Sequence, residues 1–472
     1  MTDTLLETLR AKLGDAYVLT GDAAAPFSQD WSGQVRWTPR AVLRPADTAQ
    51  VAKIVRLANE TKTPVVPVSG NTGLAKGTSG EGALMLSLDR LNKVIDVNPS
   101  RRTATVESGV ILSNLHDAAE AHDLIFPLTF GARGSAMIGG ALSTNAGGSN
   151  VVRYGSTRGL CLGIEAVTPT GQLMNLMSAL HKDNSGYDLR DLLIGAEGTL
   201  GVSTAAVVKL FPKPRAYATA MVAAPSVNAA LDLLYRLQAE TGGAVEAFEY
   251  MPGAYIDAHL ERFPEARAPF DARREVNILV EVGAMAARDA EAGEDGEVPI
   301  VAHLESVLGS LFETGAVLDA VVAKSDAQRR EMWARREAAA EVSRLHSPIV
   351  DNDIAVPIDA VQVLVERLHA RTKALDPDAG ILNVAHLGDG NLHFAAWPST
   401  EDQEIHRAIG LAVEEETMSL GGSFSAEHGV GLSKKPAMAR YKDPVAMAVM
   451  RQIKTALAPN GIMNPGKVLP NA

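Results

Sequence analysis

Three observations predict an α+β or α/β protein of two or three domains. The 472 residues exceed what one ordinary hydrophobic core accommodates. Strand-like and helix-like runs alternate from Ala41 onward. The prolines Pro212 and Pro214 interrupt that alternation and mark a domain boundary.

Residues 1–30 read as a helix and a lead-in loop. AVLRP (41–45) is a short strand, and TAQVAKIVRLANET (48–61) carries apolar residues at helical spacing. PVVPVS (64–69) is a strand that runs into the glycine-rich GNTGLAKGTSG (70–80). ALMLSL, KVIDV and TATVESGV are three further strands, and ILSNLHDAAEAHDL (111–124) is a helix. A glycine-dense zone without obvious elements fills 130–159, and loops of that length are usually functional or disordered. CLGIEAVTPTGQLMNL (161–176) reads as a hairpin turning at Pro169 to Gly171. DLRDLLIGAEGTLGVSTAAVVKLFPKP (188–214) reads as a short helix, a glycine-rich turn and a strand. Beyond it, strands such as GAVEAFEYM, VNILVEVGA and ILNVAHLG alternate with long helices, which predicts a sheet with helices on one face. DAQRREMWARREAAAEVSRLH (326–346) reads as one of these helices.

Composition narrows the function. Hydrophobic content of 46% and charged content of 21% are those of a globular protein. A net charge of −12 argues against nucleic acid as a partner, because phosphate binding needs a concentrated basic surface. The single cysteine, Cys161, excludes an intrachain disulfide and a cysteine-ligated iron–sulfur cluster. The first fifteen residues lack the basic start and apolar core of a signal peptide. No apolar run approaches the ~20 residues needed to span a bilayer. A cytoplasmic protein is expected, with peripheral membrane contact left open.

Two glycine-rich zones invite a ligand. In PVSGNTGLAKG (67–77) small residues follow a strand end, so successive backbone N–H groups can converge on a pyrophosphate. The loop matches neither GxGxxG nor a Walker loop. GGALSTNAGG (139–148) offers further donors and little side-chain bulk, as close approach to a flat ligand requires. Together the zones favour a phosphate-bearing cofactor.

HLGDGNLHF (386–394) carries two histidines about an Asp-Gly hairpin signal. With Asp389 and Gly390 as a two-residue loop, His386 faces His393, with Cβ atoms roughly 5 Å apart. Both imidazoles could then reach one divalent metal, with Glu427 of SAEHGVG as a third ligand and open positions left for substrate. The competing reading is a set of polar residues around a surface turn. Arg335 and Arg336 lie on a helix starting near Ser325. An inward-facing arginine there would clamp a carboxylate, although most helix arginines are solvated.

PVSGNTG, GGALSTNAGG with YGSTRG, LIGAEGTLGV, HLGDGNLHF, SAEHGVG and NPGKVLP follow one another along nearly the whole chain. In that order they resemble the FAD-linked dehydrogenases of the vanillyl-alcohol-oxidase flavoprotein superfamily. The nearest branch holds D-lactate dehydrogenase, D-2-hydroxyglutarate dehydrogenase and one of the polypeptides of glycolate oxidase. The resemblance implies a PCMH-type FAD-binding domain at 1–214, completed by 421–472. It also implies an α/β cap domain at 215–420, an antiparallel sheet covered by helices. Pro67, Ser69, Gly70, Asn71, Thr72, Gly73 and Leu74 would wrap the pyrophosphate. Gly139, Gly140, Ser143, Asn145, Gly148, Gly201 and Val202 would line the cofactor, with Asn464 near the isoalloxazine. The 67–74 loop has no histidine, so non-covalent FAD is expected.

By the same resemblance His386, His393 and Glu427 hold a divalent metal, with zinc expected and manganese or iron as alternatives. His428 is the base, Arg336 grips the substrate carboxylate and Asn391 assists. A D-2-hydroxy acid would lose its hydroxyl proton to His428 and its C2 hydride to flavin N5, leaving a 2-oxo acid. An electron acceptor (quinone, cytochrome or electron-transfer flavoprotein) would reoxidise the flavin, and a homodimer is the expected assembly. The chain departs from the hydroxyglutarate-specific pattern where a threonine and a lysine hold the distal carboxylate. Ala340 and Asp351 stand there, which favours a D-lactate-like monocarboxylate over D-2-hydroxyglutarate. A metal-independent FAD oxidase, a zinc hydrolase without redox role and a non-enzymatic FAD-holding protein are the competing functions.

Overall fold

The structure, a computed structural model, describes residues 3–33, 35–294 and 296–471. The N-terminal half holds two main sheets. In the first, Val18–Leu19, Ala41–Leu43, Leu84–Ser87 and Val65–Val68 lie side by side, with the last three strands parallel. The helix Thr48–Glu60, capped at its start by the Asp47 side chain, makes the crossover from Ala41–Leu43 to Val65–Val68, and Leu84–Ser87 inserts between those two strands. The second sheet is antiparallel, in the order Val94–Asn98, Thr103–Glu107, Val202–Lys209, Cys161–Val167, Leu173–Leu176. The expected hairpin at 161–176 is present in it.

The C-terminal segment returns to this half. Met463 bridges Val65 in parallel at the edge of the first sheet. The Lys454 ammonium donates to the Thr199 and Met463 carbonyls.

Between these pieces stands a seven-stranded sheet, antiparallel throughout. Its order is Asp319–Val322, Ala216–Ala224, Val276–Ala284, Val245–Pro252, Gly380–His386, Asn391–Trp397, Val350–Ala355. Side chains alternate along a strand, so each strand divides between two faces. Phe248, Tyr250, Ala385, Leu392, Phe394 and Ile354 point to one face and pack with Leu234, Leu304, Leu364 and Ile409 of four long helices. The opposite face carries Met251, Leu382, Val384 and Ala395. Helices Gly253–Arg262 and Asp326–Glu337 cover part of it through Tyr255 and Met332. Helices therefore lie on both faces, not on one as the alternation predicts. The rest of the second face looks toward the glycine-rich zones.

Two element readings change. The 130–159 zone contains helices Ile138–Thr144, Val151–Tyr154 and Thr157–Leu160. Glycine there serves packing as well as looseness: a Cβ on Gly139 would stand 2.8 Å from Ser108 Cβ. The helix read at 326–346 ends at Glu337, and Ala339–Val342 continues as a separate turn beyond Ala338.

Candidate active site

The hairpin that carries the histidines pairs His386 with Asn391 and Val384 with His393. The loop therefore spans four residues, 387–390, in place of the expected two. A type I′ turn needs positive φ at both central residues, and here only Gly390 has it, at 81°. The register moves by two, which preserves the face, so the two histidines become diagonal neighbours. Their ring centroids lie 5.2 Å apart.

The strand period gathers the remaining groups on the same face. Glu249 shares the face of Met251, Asp353 pairs with His393, and Asp351 pairs with Ala395. Glu427 reaches in from the 423–431 loop. Its carboxylate oxygens lie 4.0 Å from His386 Nε2 and 3.9 Å from His393 Nε2. The three ligand atoms fall within 4.8 Å of one another. Burial pushes the Glu427 carboxyl up to about 7 against the pull of His386. Burial also holds His393 well below its ordinary value, with His386 adding to the effect. Burial opposes charge on His386 too, yet Glu249 outweighs it and raises that pKa, so of the three ligands only His393 is held toward the neutral form that a metal takes.

A second trio, Asp353, His393 and His428, has a similar span. It is the poorer metal site, because Asp353 is already saturated. Oδ2 accepts from the backbone N–H groups of Glu427 and His428, both at 2.9 Å, and from Lys434 Nζ at 3.2 Å. Oδ1 accepts from Asn391 Nδ2 at 3.0 Å. Burial opposes the charge on Asp353, yet His428 and Lys434 outweigh it and hold the carboxyl well below the usual range. His428 Nδ1 stands 3.6 Å from Asp353 Oδ2, and its ring stacks on His393 at 5.7 Å. Burial lowers the His428 pKa while Asp353 opposes the shift, and the net direction favours the neutral ring.

Arg336 and Arg335 part company. Arg336 turns inward, its Nε 2.7 Å from Glu249 Oε2. Arg335 is buried elsewhere, donating to the Arg267 carbonyl. Asn391, expected to assist the reaction, spends both amide hydrogens on Asp353 and the Ile354 carbonyl; its buried Oδ1 is without a partner. Ala340 falls in the turn after Arg336's helix ends. Asp351 is exposed on the site's face and adds negative potential at His428.

The glycine-rich zones border this cluster. A Cβ on Gly70 would clash with the Ser135 carbonyl, and one on Gly148 with that of Thr129. Ser69 packs against Gly139 and Gly140. The 67–74 loop thus meets the 135–148 segment, leaving a wall with little side-chain bulk. Ser108 Oγ and Asn464 Oδ1 are buried there without partners. Asn464 ties the zones together, donating to the carbonyls of Gly77 and Glu197. Asn145 ends its helix left-handed and accepts from Ser156 and Arg158, whereas Ser143 Oγ donates within the helix to Gly139. Val202 begins a core strand just after Gly201. Backbone-lined walls with orphaned polar atoms fit a large polar cofactor. Gly147 connects the zone to the metal trio, because a Cβ on it would lie 2.6 Å from Glu427 Oε1.

Sequence reasoning missed Glu249, Asp353 and Lys434. The available signal was charge inside strands that are otherwise apolar: EAFEYM and DNDIAV are costly to bury unless each acid is paired.

Two family models match the chain. One, for the C-terminal domain of FAD linked oxidases, covers residues 213–468, and an FAD binding domain model covers 39–177. The D-2-hydroxyglutarate dehydrogenase of Xanthomonas citri pv. viticola is 36% identical over 450 residues, 94% of this chain and 92% of that protein. The mitochondrial D-2-hydroxyglutarate dehydrogenase of Bos taurus is 36% identical over 451 residues, 94% of this chain and 79% of that protein. Among solved structures, p-cresol methylhydroxylase with substrate bound superposes with a TM-score of 0.74 at 16% identity, covering 98% of this chain and 96% of that one. Alkyldihydroxyacetonephosphate synthase does so at 0.73 and 16%, covering 98% and 85%. These structures share the fold.

Proposed function

The chain belongs to the family of FAD-linked oxidases, and on that premise we propose that it oxidises a D-2-hydroxy acid to the 2-oxo acid at the cluster beneath the seven-stranded sheet. One observation carries the reading: three metal-ligand atoms within 4.8 Å stand together with an inward arginine and the His428 ring, against a glycine of the cofactor zone. A surface turn would leave these groups solvated and unpaired.

FAD, when bound, supplies the hydride acceptor. A divalent metal held by His386, His393 and Glu427 supplies positive charge that eases loss of the hydroxyl proton. Two imidazoles and a carboxylate suit zinc, with manganese or iron as alternatives. The remaining work falls to side chains. Arg336 pairs with the substrate carboxylate through its guanidinium fork. His428 takes the hydroxyl proton at Nε2, because its Nδ1 faces Asp353. Asn391 acts by holding Asp353.

Acid length is decided at the outer end of the site. A second carboxylate reaching Asp351 would meet an anion, and repulsion at about 4 Å is worth roughly 1–4 kcal/mol. Ala340 offers no hydroxyl in compensation. We therefore favour a D-lactate-like monocarboxylate. D-2-hydroxyglutarate, the acid in the relatives' names, is the second reading, supported by 33–36% identity over most of the chain. A quinone, cytochrome or electron-transfer flavoprotein completes the cycle. A cytoplasmic homodimer is the setting we propose, and among the described residues no helix is long and apolar enough to cross a membrane.

The test is anaerobic bleaching of bound flavin by a panel of D- and L-2-hydroxy acids, with and without added metal. Bleaching by D-acids that depends on metal is expected. No bleaching by any of them would overturn the reading.

A further inference from the structure

We propose that Glu249 is a positioning residue that sets the metal site and the substrate clamp together. The proposal rests on the metal and clamp assignments above. Glu249 lies on the Val245–Pro252 strand with 0% of its surface exposed. Solvent therefore does not screen its charge. His386 Nδ1 sits 2.9 Å from Oε1 and 2.8 Å from Oε2. A carboxylate can only accept, so Nδ1 carries a proton, and Nε2, 4.0 Å from Glu427 Oε1, is the nitrogen left to face a metal. The same carboxylate forms an ion pair with the Arg336 guanidinium, Oε2 lying 2.7 Å from Nε, although the Nε hydrogen is not aimed at it. Nη1 is then left for a second carboxylate, while Nη2 stands beside His386 Nδ1. Ser149, from the end of the glycine-rich zone, donates a third contact.

The electrostatics require such a group. Arg336 Nη2 lies 3.5 Å from His386 Nδ1, so a permanent cation sits beside an imidazole assigned to a dication. Without an intervening anion the two positive charges would oppose each other in a dry site. Glu249 offsets both from one position, which makes metal loading and substrate binding depend on a single carboxylate. An ion pair with a purely structural role would show no such joint dependence.

The experiment uses purified holoprotein and Glu249→Gln. The glutamine keeps the shape, but its NH2 opposes either the His386 N–H or the Arg336 guanidinium. FAD content and the flavin spectrum are expected to stay at wild-type values. Zinc affinity, read by competition with a chromophoric chelator and without turnover, should fall about 10–100-fold, as for other carboxylates behind a metal-ligating histidine. KM should rise about tenfold or more and kcat less, because the clamp is displaced along with the metal ligand. In Arg336→Met, adding Glu249→Gln should raise KM little further, because the clamp is already gone. If the glutamine variant does not fold, Glu249→Asp takes the same measurements. It keeps the charge but falls one methylene short, and the proposal again requires zinc affinity and KM to worsen together. A variant with wild-type zinc affinity, or with a changed KM alone, overturns the role of Glu249. Wild-type protein that binds no divalent metal overturns the metal assignment instead.

Discussion

Replacing Asp353 by asparagine keeps its shape and removes its charge, and the structure sets the cost. Asp353 is 2% exposed and Lys434 16%, with Nζ 3.2 Å from Oδ2. At that separation, with an effective dielectric near 20, the attraction is roughly 5 kcal/mol. Removing one partner of a buried pair typically costs about 3–5 kcal/mol, because the other charge is stranded. The lost hydrogen bonds add little. An asparagine oxygen can still accept from the Glu427 and His428 N–H groups, and Asn391 can rotate its unpartnered Oδ1 toward the new NH2. Urea unfolding of metal-free holoprotein, followed by tryptophan fluorescence and flavin release, should therefore show a loss of about 3–5 kcal/mol. Asp353→Asn with Lys434→Met should recover most of it, because no unpaired charge remains. A depressed carboxyl stabilises the fold above its unfolded pKa, and that contribution fades as pH falls through the folded value. The acid sensitivity should thus diminish in the single variant. A loss below about 1 kcal/mol, the worth of an exposed pair, would refute the reasoning. So would a double variant no better than the single.

His428→Ala should retain FAD and metal yet lose anaerobic flavin reduction, and near-normal reduction rates would mean the base lies elsewhere. Metal must displace the proton that burial keeps on Glu427 up to about 7, so affinity should weaken below that pH by up to about tenfold per unit. A flat competition titration from pH 6 to 8 would refute this. Gly147→Ala brings a Cβ within 2.6 Å of the Glu427 carboxylate, a flexible end, so metal retention should fall while FAD stays bound. Unchanged metal content by atomic emission would count against the assigned trio. Asp351→Lys exchanges repulsion for attraction at the outer end of the site. The kcat/KM ratio of D-2-hydroxyglutarate to D-lactate should rise about tenfold or more, and an unmoved ratio would place the distal carboxylate elsewhere.

The legible part of this site was the part that lies in short motifs. His386, His393, Glu427 and His428 occupy two loops whose residue types already suggest a ligand set, and strand parity kept the two histidines on one face although the turn was misjudged. The register depended on φ at Asp389, which composition does not report. Glu249 and Asp353 were invisible for another reason. They act across strand neighbours, and a sequence without alignment does not say that Val245–Pro252 lies beside Gly380–His386. Glu249 stands 137 residues from the histidine it holds. The cofactor zones were readable as glycine, but not the short helices within them. The first of them packs Gly139 and Gly140 closely against Ser108 and Ser69, in segments distant along the chain.

Asn464 joins the carbonyl of Gly77, 387 residues earlier in the chain, and Met463 completes an edge beside Val65. A ribosome delivers the N-terminal sheets first, and the strip that closes them only after the whole seven-stranded sheet. The intervening sheet, whose pairings lie within 216–397, can form while synthesis continues. Closure of the cofactor cradle then waits on the synthesis of Asn464, and a nascent protein stalled short of it would carry an assembled cap above an open cradle.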